Sequence, residues 1–209
     1  MKANTNSNTY TIVYSAVIVV IVAFLLAFVY QALKPQQDAN VALDQKKQIL
    51  NSLNQRGLDG QAAEARYAQV VKEEKKNDKG LTYYVCNVNG ETKYVFPMKG
   101  MGLWGGISGF LAVDADKTTV FGAYHEGETA GLGAEIKDNT KWQQTFTGKK
   151  IFDDADTQHK NVILEVVKNG TVKNASYQVD GITGATLTNN GVKDMLKESL
   201  TDFDDVLAK

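Results

Sequence analysis

No charged residue occurs between Ala3 and Leu33, and from Ile12 to Leu33 the chain is almost wholly Ile, Val, Ala, Leu and Phe, with Tyr14 and Tyr30 near the ends. Such a run leaves few options. Backbone surrounded by hydrocarbon must satisfy its own N–H and C=O groups, which a helix does within one segment. About 20 residues rising 1.5 Å each cross a hydrocarbon core ~30 Å thick. The expectation is a single transmembrane helix over 12–34, ended by Lys34 and Pro35 and preceded by a tail of residues 1–11. The competing identity is a cleaved signal peptide. The apolar run is longer than the usual ~7–15-residue signal core, and only Lys2 stands before it, so an uncleaved anchor is favoured. Charge does not orient the span, with Lys2 on one side and Lys34, Lys46 and Lys47 on the other.

The remainder suffices for one modest domain, since the whole chain has 209 residues. The formal net charge of −1 gives no basic excess to hold nucleic acid. The single cysteine, Cys86, excludes an internal disulfide; it lies in the strand-like Tyr83–Val88 and reads as a small buried thiol. Cys–Cys metal spacings are absent and only His125 and His159 offer imidazole, which argues against zinc or iron–sulfur chemistry.

Residues 35–80 read as a helical and charged connecting region. Asp38–Leu53 has helical spacing, Gly57 and Gly60 interrupt it, and a short helix is expected over Gln61–Val71. The charged stretch from Lys72 to Gly80 reads as a solvated loop. Residues 81–209 change to strand patterns. Tyr83–Val88 and Tyr94–Phe96 flank Asn89-Gly90, a hairpin turn signal. Phe110–Val113 and Thr118–Tyr124 flank Asp114–Lys117, and Val162–Val167 and Ser176–Val179 lie on either side of Asn169-Gly170. Three hairpin-like pairs, with helices expected near Lys141–Phe146 and from about Asn189 onward, indicate an α+β class: a twisted antiparallel sheet with packed helices.

The chemistry concentrates in Asp180-Gly181-Ile182-Thr183-Gly184-Ala185-Thr186-Leu187-Thr188. Two glycines allow close backbone approach, and three threonines place hydroxyls within one short span. Apolar residues at Val192, Met195, Leu196, Leu200 and Phe203 follow with helical spacing. Hydroxyls and free N–H groups at a helix start suit an anion such as phosphate. The plainer reading is ordinary threonine N-capping.

Two other loops stand out. Gly100–Gly105 matches G-x-G-x-x-G, but no helix pattern follows, so the glycines shape a loop carrying Leu103 and Trp104 rather than a dinucleotide fingerprint. The stretch from His125 to Gly133 is polar and Gly-rich. Its His125, Glu126 and Glu128 lack metal-ligand spacing, and a loop approaching a planar ligand fits better than a metal site; a simple surface loop is the alternative.

The segment from Asp180 to Thr186 resembles the flavinylation motif of the FMN-binding domain family, an acidic residue ahead of Ser/Thr-Gly-Ala-Thr. Together with Gly102-Leu103-Trp104, Gly109–Ala112, Glu128–Gly133 and Ala42–Lys47 in the same order, it is similar to the C subunits of the bacterial sodium-translocating NADH:quinone reductases. Ala130 departs from the proline usual in that loop, and Thr183 stands where Ser is more usual. The resemblance makes 81–209 an FMN-binding domain and implies FMN joined through a phosphoester to Thr186, in a one-electron relay that supports Na+ export by a multisubunit complex. It implies that Asp180 lies in the segment recognised by a flavin transferase, and that Thr183, Gly184, Ala185 and Leu187 line the phosphate end. Glu128, Thr129, Leu132, Gly133, Leu103 and Trp104 would contact or shield the ring, and Lys168 would sit near it. It also implies an inner-membrane location with the domain on the periplasmic side. The alternatives are the G subunit of the related Rnf electron-transport complex, which shares the motif, and an anchored interaction module without cofactor.

Overall fold

In the computed structural model, residues 7–127 and 131–208 are described. The chain divides into two compact units, Met1–Asp44 and Gln45–Lys209. The first carries most of helix α1 (Asn8–Ser52). Its start is capped by Ser7, whose hydroxyl accepts from the Tyr10 N–H at 3.1 Å. An 18-residue window of α1 has a mean hydropathy of 3.1 and none of it is buried, so the helix is long and apolar enough to cross a membrane. Lys34 and Pro35 do not end this helix: it continues through Pro35. Proline removes one N–H donor from the ladder, and the helix-forming Ala, Leu, Gln and Lys residues that follow carry the helix onward.

The second unit is built on a five-stranded antiparallel sheet in the order β1 (Val71–Lys76), β2 (Thr82–Val88), β3 (Glu91–Met101), β4 (Gly106–Asp114) and β5 (Val120–Gly127). The Asn89-Gly90 turn joins β2 to β3, with both residues at positive φ. Alternation sends Tyr84, Cys86, Val88, Val95, Phe110 and Ala112 to one face, where Ile49 of α1, Leu53 just beyond it and Val70 of α2 (Gly60–Val70) cover them. Burial there pushes the Cys86 thiol up to about 12. The opposite face presents Phe96, Met98, Ile107, Leu111 and Val113 to Val192, Met195, Leu196 and Leu200 of α5 (Thr186–Asp202).

Two further expectations need correction. The charged stretch after Val71 is not a loop throughout: its first part forms β1, paired to β2, with every residue after Val71 exposed. An edge strand needs hydrogen-bonding backbone but no buried side chains, and lysine and glutamate there discourage pairing with other chains. The third pair of strands is not a hairpin. Here β6 (Glu165–Val167) runs parallel to β7 (Gln178–Asp180). The connection turns twice, once where the Thr171 N–H bonds to the Lys168 carbonyl at 3.0 Å and again where the Gln178 N–H bonds to the Asn174 carbonyl at 3.0 Å. The first reversal alone would have given antiparallel neighbours. Short helices α3 (Glu135–Asp138), α4 (Thr140–Gln144) and α6 (Asp204–Leu207) complete the α+β unit.

Candidate functional site

β7 delivers Asp180 directly into the turn that precedes α5. Ile182–Ala185 is closed by the Ala185 N–H on the Ile182 carbonyl at 3.2 Å. Gly184, the third residue of that turn, has φ +78, the left-handed value that a type II turn requires there. α5 then begins at Thr186. The helix start lies three residues earlier than the apolar spacing suggests, and no threonine caps it: Ala185 is the N-cap and makes no side-chain cap bond. Among the described residues the hydroxyls of Thr183 and Thr186 make no hydrogen bond, and both residues are exposed. Thr188 is buried one position beyond Leu187.

Asn189 holds this turn in place of a cap. Its amide is buried, accepts from the Ile182 N–H at 3.1 Å and donates to the Ile182 carbonyl at 2.9 Å. Asp180 is held as tightly. Its carboxylate accepts from the Gly170 N–H at 2.7 Å and from the Asn169 amide at 3.4 Å, and its carbonyl accepts from the Trp142 indole N–H at 2.7 Å. Asn169 also donates to the Gly181 carbonyl at 2.9 Å. The turn carrying Lys168 is thereby fastened to the start of the motif, with Lys168 exposed one residue past the Val167–Asp180 pair. Sequence pattern does not reveal these roles of Asn189, Asn169 and Trp142. Asparagine in an otherwise regular helix start, four residues after a turn, is the one signal that could have pointed to the first of them.

Loops distant in sequence converge here. A Cβ added to Gly184 would lie 2.5 Å from Leu132 Cδ1, so Leu132 rests against the turn. Leu132 and Gly133 belong to a single 3-10 turn, Leu132–Ala134. On the other side, a Cβ on Gly191 of α5 would meet the Met101 carbonyl and lie 3.2 Å from Gly102 Cα. The Gly102–Gly105 turn, closed by the Gly102 N–H on the Gly105 carbonyl at 2.8 Å, therefore abuts α5 one turn beyond Leu187. It joins β3 to β4 as strand–turn–strand, which no dinucleotide fingerprint does. Large apolar side chains stay in solvent on these loops and on α5: Trp104 is 76% exposed and Leu132 57%, with Leu187, Leu103 and Met101 exposed as well. Glu128 and Thr129 lie outside the described residues.

Electrostatics frame the site without entering it. Glu126 accepts from Lys137 at 2.7 Å and from the Gln48 amide. The Lys193 ammonium, 2.8 Å from Glu165, ties α5 to β6 and holds that carboxyl below its usual range. His125 is fully buried, with ring centroids 4.8 Å from Phe146 and 5.5 Å from Trp142, and among the described residues neither ring nitrogen has a partner. Burial, aided by Arg56, pushes its pKa down to about 3, so it is neutral at pH 7.

The residues present fit a phosphoryl-linked planar group. An open hydroxyl and unused N–H groups stand at the start of a long helix, where an anion is favoured. Apolar surface large enough for an aromatic ring lies beside them. Comparisons with known proteins agree. The FMN-binding domain family matches residues 102–201, from the turn below Leu103 to the last turn of α5. The C subunit of the Na(+)-translocating NADH-quinone reductase of Pseudomonas aeruginosa is 30% identical over 241 aligned positions, covering 93% of this chain and 92% of that one. The corresponding C subunit of Vibrio vulnificus is 44% identical over 116 residues, covering 54% of this chain and 44% of the relative, so the chain spans less than half the length of that protein. Among solved structures, the C subunit from Parabacteroides distasonis superposes with a TM-score of 0.74 at 34% identity, covering 85% of this chain and 98% of that one. NqrC of Shewanella oneidensis, at 22% identity and a TM-score of 0.64, shares the fold.

Proposed function

Because the chain belongs to the family of Na(+)-translocating NADH-quinone reductase C subunits, we propose that it is a membrane-anchored electron-carrying subunit with FMN joined by a phosphoester to Thr186 Oγ. The observation that carries this reading is the exposed, unbonded Thr186 hydroxyl on the first residue of an uncapped helix. When bound, FMN supplies one-electron redox chemistry; the protein supplies attachment, orientation and electrostatics. Thr183, Gly184 and Ala185 shape the phosphate end, with Gly184 keeping the backbone low enough for Leu132 to approach. Leu187, Leu132, Gly133, Leu103 and Trp104 form the apolar surroundings of the ring, with Glu128 and Thr129 assigned to the same loop. The Lys168 ammonium, carried on the turn fastened by Asp180, attracts negative charge on a reduced ring.

In this reading Asp180 serves a flavin transferase through the shape it gives the motif, since its carboxylate is occupied by Gly170 and Asn169. The proposed organisation keeps 1–11 as a tail, 12–34 as the membrane span, 35–80 as the connecting region that adds α2 and β1 to the folded unit, and 81–209 as the flavin-carrying domain. That domain is placed on the periplasmic side of the inner membrane, among the other subunits of a complex that exports Na+ as NADH reduces quinone. The relatives described are C subunits of the quinone reductase, which favours that complex over the Rnf G subunit.

The test is covalency. Co-expressed with a flavin transferase, the wild-type chain gives a fluorescent band on a denaturing gel and an intact mass raised by one FMN. Thr186→Ala gives a dark band while remaining folded, because no cap bond is lost. A fluorescent Thr186→Ala band, or a dark wild-type band beside an active transferase, overturns the assignment.

A further inference from the structure

The chain has two arginines among its 23 Lys and Arg residues, Arg56 and Arg66, and both line one cleft of about 670 Å³ beside the α1–α2 connection. Among the described residues neither makes an ion pair. The acids nearest to them in sequence are engaged by lysines: Asp59 with Lys47 at 2.6 Å and Glu64 with Lys46 at 3.2 Å. Arg56 donates from Nη1 to Gln143 Oε1 at 2.7 Å and from Nη2 to the Ala123 carbonyl at 2.9 Å, while its buried Nε has no partner among the described residues. Arg66 donates from Nε to Gln55 Oε1 at 2.5 Å and from Nη1 to Gln69 Oε1 at 3.3 Å. Burial lowers the guanidinium pKa of Arg56 from its ordinary value. No Asp or Glu lines the cleft, whose walls include Leu53, Leu58 and Phe121.

A half-buried cation answered only by neutral oxygens carries a desolvation cost that a carboxylate would offset. Arginine is also the side chain whose planar fork matches a carboxylate, whereas lysine serves the rest of this surface. We propose that the cleft receives a carboxylate from a neighbouring protein chain, an Asp or Glu side chain whose apolar flanks rest on Leu53, Leu58 and Phe121. The apolar wall beside two unpaired cations suits a peptide segment better than a free dicarboxylate, which would leave that wall wet. The proposal rests on the reading of the chain as one subunit among several.

The experiment uses the full chain, purified in detergent with its partner subunits. In Arg66→Lys an amine replaces the guanidinium. A water-soluble carbodiimide activates a carboxylate that touches it, and an amide forms with release of the urea. Mass spectrometry of the digest shows position 66 joined to an Asp or Glu of another subunit. Arg66→Gln, whose polar neighbours are two glutamine side chains, stays folded and lowers the yield of co-purified subunits about tenfold, as expected for loss of one charge-assisted contact. Free succinate added at high concentration leaves the wild-type yield unchanged; displacement of the subunits by it assigns the cleft to a small dicarboxylate and overturns the proposal. It is equally overturned if position 66 forms no cross-link to another chain while Arg66→Gln keeps the wild-type yield, or if a flavin-bearing wild-type chain brings down no other subunit. A cross-linked chain that carries no flavin at Thr186 leaves the docking site standing and overturns the functional reading instead.

Discussion

Gly184→Ala separates two demands that the acceptor turn makes on one residue. The backbone there has φ +78, and an L side chain in the left-handed region costs about 1–2 kcal/mol. The added methyl would also lie 2.5 Å from Leu132 Cδ1. That atom is the far end of a flexible side chain at the surface, so it moves aside at little cost. The stability loss should therefore equal the backbone cost alone. For a folded unit of this size that is about 2–4 °C in Tm for each kcal/mol. The site should suffer more than the fold. A penalty of 1–2 kcal/mol shifts a two-state population by roughly 5–30-fold, so a turn that relaxes out of the left-handed conformation presents Thr186 correctly that much less often. The assay is a time course of transferase-driven labelling, read as gel fluorescence, beside a thermal melt. Labelling should slow within that range in Gly184→Ala. In the Gly184→Ala/Leu132→Ala pair the backbone cost persists, so labelling stays slow, whereas any change in flavin fluorescence caused by a displaced Leu132 matches that of Leu132→Ala alone. Wild-type labelling and an unchanged melting point in Gly184→Ala would refute both the turn geometry and its role.

Other changes probe the surroundings. His125 has a folded pKa near 3 against an ordinary value near 6.5, so between these limits the unfolded chain binds a proton that the folded chain refuses. Stability is complete above about pH 6.5 and falls by about 1.4 kcal/mol per pH unit below it. In His125→Phe that loss should be absent, so the drop between pH 7 and pH 4.5 by denaturant titration should be smaller by about 2–3 kcal/mol; equal drops in the two proteins would sink the idea. Asn189→Leu keeps the side-chain branching but leaves the Ile182 N–H without a partner, at about 1–3 kcal/mol, and leaves its carbonyl only the Ala185 N–H. Its melting point should fall and its labelling should slow, and normal labelling would show that the clamp does not present Thr186.

Where local pattern and tertiary packing agreed, the sequence sufficed. Asn89-Gly90 marked its hairpin, and the apolar spacing from Val192 to Phe203 marked the buried face of α5. The misreadings came where chain context overrode local chemistry. β1 has no apolar alternation because an edge strand needs none. β6 and β7 run parallel because the connection between them reverses twice, a property of the whole connection and not of its Asn169-Gly170 turn. The acceptor motif was legible as a small-residue turn with exposed hydroxyls, yet its fastening was not. Asn189 lies inside the helix it organises, and the partners of the Asp180 carboxylate, Gly170 and Asn169, lie on a separate turn ten or more residues earlier. The approach of Leu132 to Gly184 and of Gly102 to Gly191 depends on long-range packing that no short pattern encodes.

Among the described residues, Leu103, Trp104, Leu132 and Leu187 lie open to solvent, whereas most proteins retain a small molecule in a deep cleft. A covalent link makes such a cleft unnecessary. Once one end of a ligand is tied down, its other end samples a small volume at a local concentration of about millimolar or more, and modest contacts with Leu132, Leu187 and Trp104 are enough to keep it there. A carrier built this way need never bind its cofactor tightly, and so need never enclose it. With the proposed attachment at Thr186, the face holding the ring would stay accessible to whatever exchanges electrons with it, and retention and accessibility, which compete in a non-covalent site, would fall to different atoms.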